Sequence, residues 1–195
     1  MRYPEHHKSA SRQRLVAQCG GHAKRHGFDQ SGVAALAGAA GVTTGALYKH
    51  FENKSDLLVA LITAELARTA QVYQNIATAD SAQLARALAD YLSLAHVRHP
   101  EQGCPLPSLT AEVARAGAAV QAAYQTGLLA VHAQLGRLTG SADSAWALMA
   151  QNVGAVMLAR ALPDENLQQT LLVAVQRAGE TLHAECPLPP SRPLD

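Results

Sequence analysis

Apolar residues recur along most of the chain at intervals of three and four positions, the spacing that places side chains on one face of an α-helix. Glycines, prolines and capping residues divide this pattern into nine segments. Four of them cover 11–26, 33–39, 44–50 and the stretch from 54 onwards; the others contain 84–95, 109–116, 120–135, 142–162 and 164–184. The pattern predicts an all-α fold with about nine helices.

Individual capping residues and glycines predict where the first four helices begin and end. Gly41 is typical of a helix end, and Ser31 and Thr43 are predicted N-caps of the second and third helices. Asn53, with Asp56 three positions later, resembles a capping box that opens the fourth helix. Two short helices joined by a tight turn that contains a glycine favour a helix-turn-helix.

Composition agrees with a helical chain that has its own core. Ala and Leu supply 39 and 26 of the 195 residues, whereas Val and Ile together supply 15. This balance favours helix over strand. A chain of this length can bury a core without disulfides or metals.

Charge separates the first part of the chain from the rest. The net charge is +1, yet residues 1–55 hold eight Lys and Arg against three Asp and Glu, and the other 140 residues carry −4. A basic end suits a polyanionic partner, although a merely solvated end would look the same. No apolar run approaches the roughly 18 residues that span a membrane, and the N-terminus lacks the apolar stretch of a signal peptide. We therefore expect a cytoplasmic protein with reduced cysteines.

The stretch AALAGAAGVTTGALYKHFENKSDLL, residues 34–58, carries the most informative motif. It resembles the DNA-binding signature of the TetR family of transcriptional repressors, A-G-V-[ST]-x-G-x-[LF]-Y-x-H-F followed by a Lys and an acidic residue. The positions that match are Ala40, Gly41, Val42, Thr43, Gly45, Leu47, Tyr48, His50, Phe51, Lys54 and Asp56. The resemblance implies a flexible basic arm at 1–10, a DNA-binding domain at 11–53, a ligand-binding and dimerisation domain at 54–184 and a disordered tail at 185–195.

The chemistry of these residues suits a DNA contact. Hydroxyls and backbone N–H groups at a helix N-terminus bind phosphate oxygens, and small residues allow a helix deep into the major groove. Leu47 and Phe51 are predicted to point inward. The candidate DNA-binding residues are Ser31, Thr43, Thr44, Gly45, Ala46, Tyr48, Lys49, His50 and Lys54. The family commonly has an Arg near the start of helix two, where this chain has Ala34; the basic residues before position 15 offer a substitute.

The resemblance also implies an effector cavity among helices four to eight. The candidate wall residues are Ile62, Leu66, Leu92, Cys104, Leu109, Tyr124, Leu128, Trp146 and Met149. Ordinary core packing without a cavity is the alternative for each of them.

Cys104 has three interpretations. It lies in GCPLPSL at the predicted start of a helix, where the helix dipole is expected to lower the pKa of the thiol. Some TetR-like repressors sense electrophiles or oxidants through a thiol at this point, which the resemblance extends to Cys104. A buried, inert cysteine and a metal site with His96 and His99 are the alternatives; the spacing matches no metal motif, so we predict no metal.

The last two predicted helices suit a homodimer. Their apolar stripes are wider than one neighbouring helix can cover, and two helices from each subunit make a four-helix bundle. The candidate interface residues are Ala147, Ala150, Gly154, Ala161, Leu171 and Ala178.

The sequence contains no catalytic or cofactor motif that we can identify, so neither an enzyme nor a cofactor is predicted. The predicted function is a TetR-like regulator, a repressor that binds a pseudo-palindromic operator as a dimer and is released by a small-molecule or thiol-reactive effector. Two alternatives stay open: an all-α enzyme without a recognisable motif, and a DNA-binding protein that responds to no effector.

Overall fold

A computed structural model describes residues 5–78 and 80–185, with side chains for 9–78 and 80–179. These residues form ten α-helices and no strand. The helices are α1 Glu5–His26, α2 Val33–Ala39, α3 Thr44–Tyr48, α4 Lys54–Gln74, α5 Ser81–Tyr91, α6 Leu94–Arg98, α7 Leu106–Val113, α8 Ala118–Thr139, α9 Ala142–Ala161 and α10 Glu165–Glu185. No helix in this part of the chain is long and apolar enough to cross a membrane. The all-α prediction is confirmed.

The structure has ten helices rather than nine because one predicted helix is divided into two. Residues 84–95 were expected to form a continuous helix, but α5 ends at Tyr91 and α6 begins at Leu94. The Ser93 hydroxyl donates to the Asp90 carbonyl oxygen and accepts from the His96 N–H. A serine that bonds to the backbone on both sides ends one helix and caps the next.

The N-terminal segment differs from the predicted domain limits. Helix α1 begins at Glu5, so residues 5–10, assigned above to a flexible arm, are helical. No glycine or proline interrupts the chain from 5 to 19, and nothing in this segment breaks the helix. The predicted disordered tail lies, from residue 186 onwards, outside the described residues.

Helix α4 connects the N-terminal helices to the rest of the molecule. Leu57, Leu61 and Leu66 are fully buried along it, and one continuous core runs from α1–α3 into the C-terminal bundle. Its most extensive packing is against α8, where a Cβ on Gly127 would lie 2.6 Å from that of Leu66. The two helices therefore approach closely, and α4 is held along its length.

Candidate functional site

The helix-turn-helix predicted from the sequence is present. Gly41 has φ +67°, a left-handed conformation that glycine adopts without strain, and it ends α2. Thr43 caps α3, since its Oγ1 accepts a hydrogen bond of 3.2 Å from the Ala46 N–H. Asn53 caps α4 through a bond of 2.9 Å from the Asp56 N–H. These local predictions are confirmed.

One side of α3 faces the core and the other faces solvent. Leu47 and Phe51 are 2% exposed, as predicted, and the guanidinium of Arg12 lies 4.7 Å above the Phe51 ring. The opposite side is open to solvent; it consists of Thr43, Thr44, Gly45, Tyr48 and Lys49 and is called here the α3 face. Ala46 lies half-buried at its edge.

The other candidate DNA-binding residues lie in different surroundings. Ser31 is buried and its hydroxyl donates to the Gly27 carbonyl oxygen at 2.6 Å. The predicted N-cap role of Ser31 is wrong, because Gly32 occupies that position. Lys54 Nζ donates to the Asp29 carbonyl oxygen at 3.2 Å and lies 4.9 Å from the Phe28 ring. His50 is half-buried, and its Nδ1 has no hydrogen-bond partner among the described residues.

A partly buried ionic cluster joins α1 to α4 and to the loop before α7. Lys24 Nζ lies 2.6 Å from Glu65 Oε2 and 2.9 Å from the Gly103 carbonyl oxygen. Arg68 donates to the same two acceptors at 2.8 and 2.9 Å. The Lys24 side chain is 1% exposed, and burial lowers its pKa, an effect that Glu65 opposes only in part. Lys24, Glu65, Arg68 and the Gly103 carbonyl are called the Lys24 cluster below.

A second contact joins the N-terminal helices to α7. The Glu112 carboxylate accepts hydrogen bonds from the N–H groups of Phe28 and Asp29, at 2.8 to 3.1 Å. These two residues form the turn between α1 and α2. The carboxylate therefore fixes the N-terminal helices to the C-terminal bundle at a point separate from the Lys24 cluster.

The described residues of the C-terminal bundle line two sizeable cavities that bear on function. The Cys104 cavity, about 410 Å³, lies between α4, α5 and the segment from Ser93 to Cys104, and its wall includes Arg68, Tyr73, Tyr91 and His96. The α10 cavity, about 380 Å³, lies between α5, α8, α9 and α10. Since Arg68 and Gly103 are in the wall of the first, this cavity directly adjoins the Lys24 cluster.

The surroundings of Cys104 overturn the predicted effect on its thiol. Cys104 does lie just before a helix, α7, as predicted, but it is 8% exposed and burial raises its pKa. Hydrogen bonds from the Leu106 backbone and from Tyr91 and Thr69 oppose this rise without cancelling it. The thiol is consequently protonated at neutral pH, because desolvation outweighs the favourable dipole.

His96 organises the loop that carries Cys104. Its Nδ1 lies 2.7 Å from the Tyr91 carbonyl oxygen, and its Nε2 accepts from the Cys104 N–H at 3.1 Å. A Cβ on Gly103 would overlap the imidazole ring, so only glycine fits there. Among the described residues no group of three or more His, Cys, Asp or Glu side chains is arranged to hold a metal ion.

The predicted wall residues fall into three groups. Leu92 lines the α10 cavity, Cys104 lines the other, and Met149 lies at a void of about 10 Å³ between them. Tyr124, Leu128 and Trp146 are half-buried or exposed, and Trp146 stacks on His132 with ring centroids 4.1 Å apart. The fully buried core residues are Ile62, Leu66 and Leu109.

The outer side of α9 and α10 is apolar and open. Ala147, Ala150, Ala161 and Ala178 are exposed, and Gly154 and Leu171 are half-buried. Three further large residues of the same two helices, Met157, Leu158 and Leu167, are 43%, 61% and 49% exposed. The width of the apolar stripes on the last two predicted helices was the signal for this face. These residues are called the α9–α10 outer face.

Comparison with known proteins gives concordant results. Residues 23–61 match the model of the bacterial regulatory proteins of the tetR family. The crystal structure of the reduced form of E. coli NemR is similar with a TM-score of 0.75 and 19% identity, covering 88% of this chain and 96% of that one. FadR from Bacillus subtilis in complex with stearoyl-CoA is similar with a TM-score of 0.62 and 21% identity, and the match covers 88% of this chain and 96% of that one. A TetR regulator from Chloroflexus aurantiacus is similar with a TM-score of 0.71 and 18% identity, and the match covers 91% of this chain and 96% of that one. No curated protein is significantly similar.

A helix-turn-helix with an exposed α3, carried on a larger helical bundle, defines a DNA-binding transcriptional regulator. Within that class, residues 23–61 match the tetR family of bacterial regulatory proteins, and the described chain has the fold of solved TetR regulators.

Proposed function

We propose that the protein is a repressor that binds a pseudo-palindromic operator through the α3 face. The observation that carries this proposal is the exposure of Thr43, Thr44, Gly45 and Lys49 around a capped helix whose inner side is anchored in the core. Ala46, Tyr48, His50 and Lys54 complete the proposed contact surface. The buried Ser31 supports the preceding turn instead. Residues 11–53 form the proposed DNA-binding domain, which acts in the bacterial cytoplasm.

Lys49 gives the sharpest test of this surface. Its exposed ammonium is proposed to contact a phosphate. Lys49→Ala is therefore expected to weaken binding to all duplexes and to reduce the slope of log K against log salt concentration by about one for each phosphate contact that is lost. Fluorescence anisotropy on selected genomic fragments at several salt concentrations measures this. Arg86→Ala, which removes an exposed arginine on α5, is the control and should leave the slope unchanged. An unaltered slope in Lys49→Ala would remove this residue from the contact surface.

The second part of the proposal is a homodimer through the α9–α10 outer face. One α3 contacts few base pairs, and a symmetric pair would present two such helices to successive major grooves, about 34–36 Å apart. The exposed Leu158 and Leu167 support the proposal, since large apolar residues on one face are typical of an interface. Residues 54–184 then serve both dimerisation and effector binding.

The third part is release by a small molecule held in the Cys104 cavity. Such a molecule would contact Arg68 and the loop at Gly103, and would displace groups that hold Lys24 of α1. FadR from Bacillus subtilis, of the same fold, is known in complex with stearoyl-CoA, which supports ligand binding by this architecture. The raised pKa of the Cys104 thiol favours a non-covalent effector over a thiol adduct.

Iodoacetamide separates these two effector types. Because the thiol is buried and protonated, alkylation is expected to be slow, and operator release by the reagent should be negligible within minutes in wild type. Cys104→Ser removes the thiol, and Cys19→Ser is the matched control at another buried cysteine. Rapid release of wild type and Cys19→Ser, but not of Cys104→Ser, would instead establish a thiol sensor.

A further inference from the structure

The turn between α1 and α2 is built around the carboxylate of Glu112. Within the turn, backbone hydrogen bonds use the N–H groups of Gly27 and Ser31. The N–H groups of Phe28 and Asp29 donate instead to the carboxylate, at 2.8 to 3.1 Å. Gly27 has φ +81°, and a Cβ there would lie 3.1 Å from Glu112 Oε1. The glycine therefore provides both the left-handed backbone and the room that the carboxylate needs.

The same turn is held to α4 as well as to α7. Lys54, the first residue of α4, donates to the Asp29 carbonyl oxygen at 3.2 Å, and its ammonium lies 4.9 Å from the Phe28 ring. That ring is 2% exposed and belongs to the same buried core as Leu36 of α2 and Leu47 of α3. A rotation of the turn would therefore move α2 and α3 with it.

A second carboxylate joins α1 to the segment before α7, but its contact is weaker. Glu101 accepts from Arg25 of α1 at 3.0 Å, and the Arg25 side chain is 46% exposed. Exposed ion pairs contribute little, because water competes for both charges and two flexible side chains must be ordered. Glu112 instead binds backbone N–H groups, whose positions the turn itself fixes. Glu112 is therefore the carboxylate that sets the direction of the turn relative to α7.

We propose that Glu112 is a positioning residue for DNA binding, which sets the orientation of α3 on the bundle and thereby the half-site spacing that a dimer accepts. This inference rests on the proposed operator-binding homodimer. One extra base pair between the half-sites moves them about 3.4 Å apart and rotates them by about 35°. Two α3 helices that are held firmly cannot follow this change. A turn released from α7 lets them adapt, at the cost of affinity for the correct site.

Glu112→Gln tests the proposal, since an amide of similar shape lacks the charge that the two N–H groups bind. Fluorescence anisotropy measures binding of the full chain to an operator selected from genomic fragments, and to versions with one base pair added or removed between the half-sites. Wild type should bind the altered sites about thirtyfold more weakly than the operator, and the variant only about threefold more weakly. Glu101→Gln, which removes a carboxylate from the exposed pair, is the matched control and should keep the wild-type ratio.

Two further measurements separate positioning from a lost DNA contact. The slope of log K against log salt concentration should be the same for Glu112→Gln and wild type, since no phosphate contact is removed. The N–H groups of Phe28 and Asp29 should exchange with solvent about tenfold faster in the variant, because their acceptor is weakened. A spacing penalty as large as that of wild type, an altered salt slope or unchanged exchange would overturn the proposal.

A second variant guards against loss of folding. In Glu112→Ala, water can reach the N–H group of Asp29, which is exposed, and the same reduced spacing penalty is expected. Circular dichroism at the assay temperature checks that each variant is folded. Unfolding of both variants would show a role in stability alone and overturn the proposal. A wild-type chain that binds no fragment selectively would instead contradict the proposed function on which the inference rests.

Discussion

At the scale of single residues, His96 decides the conformation of the loop next to the Cys104 cavity. The ring must donate from Nδ1 to the Tyr91 carbonyl and accept at Nε2 from the Cys104 N–H, so one neutral tautomer is fixed. Burial lowers the pKa of His96, and the positive charges of Arg160, Lys24 and Arg68 lower it further, against the opposing bond to Tyr91. Protonation would remove the acceptor that orders Cys104.

The unfolding free energy is therefore expected to depend on pH through His96. Below its ordinary value of 6.5 the unfolded chain binds a proton that the folded chain does not, so stability falls as pH decreases from that value towards the lowered folded pKa. Denaturant titrations of wild type and His96→Gln between pH 7.5 and 5.5 measure how steeply the free energy of unfolding changes with pH. The variant should show the smaller slope. His22, whose pKa burial also lowers, adds the same contribution to both proteins; parallel slopes would contradict the assignment.

Sequence reasoning predicted well the residues whose role is local. The Thr43 cap and the inward Leu47 and Phe51 depend on neighbours within one turn of helix, and the structure has them as predicted. The N-cap role of Ser31 was wrong, and of the interpretations of Cys104 the buried thiol agrees with the structure whereas the lowered pKa does not. Burial by distant segments determines the surroundings of both residues. Glu112 was missed altogether, since its partners lie 83 and 84 positions away and no local pattern indicates such a pairing.

At the scale of elements, the Lys24 cluster controls how α1 lies on α4. A Cβ on Gly20 would lie 3.1 Å from Glu65 Oε1, so a glycine at this position of α1 allows the carboxylate to approach closely. The lowered pKa of Lys24 indicates that desolvation exceeds the attraction of Glu65. We infer that the pair fixes the position of the helices and adds little net stability.

Paired substitutions test that inference. Glu65→Leu leaves the buried ammonium of Lys24 without a counter-ion and should destabilise the protein by about 3–5 kcal/mol. The double variant Lys24→Met with Glu65→Leu replaces both charges by apolar groups and should recover most of that loss. Urea unfolding of the wild type, both single variants and the double variant gives the coupling energy. A double variant as unstable as Glu65→Leu would show that the ion pair itself stabilises the fold.

At the scale of the whole molecule, the α9–α10 outer face is the surface through which we propose that two copies associate. The sequence predicted this face from apolar stripes that are wider than one neighbouring helix can cover. The exposed Leu158 and Leu167 were not among the predicted interface residues, since a chain pattern does not distinguish a leucine covered by its own subunit from one left open. The boundary between the two cavities was equally beyond prediction, because it depends on how four helices pack.

A charge on this face should separate the copies. Leu171→Arg places a guanidinium on the half-buried edge of α10, and burying that charge against a second copy would be costly. Sedimentation at micromolar concentration should give a dimer for wild type and a monomer for the variant, with loss of operator binding. Arg86→Ala, on α5, is expected to remain dimeric. A wild-type chain that sediments as a monomer would exclude the proposed interface.

The bond from Glu112 to the α1–α2 turn limits how these regulators can be recombined. Joining residues 1–53 to the effector domain of another family member would leave the N–H groups of Phe28 and Asp29 without their acceptor and the Lys24 ammonium without Glu65. We therefore expect that the proposed DNA-binding domain of this chain is not an interchangeable module. We expect a working hybrid to need a recipient protein that has carboxylates at the positions of Glu65 and Glu112. Two acidic residues outside the exchanged segment therefore determine whether that segment fits the recipient.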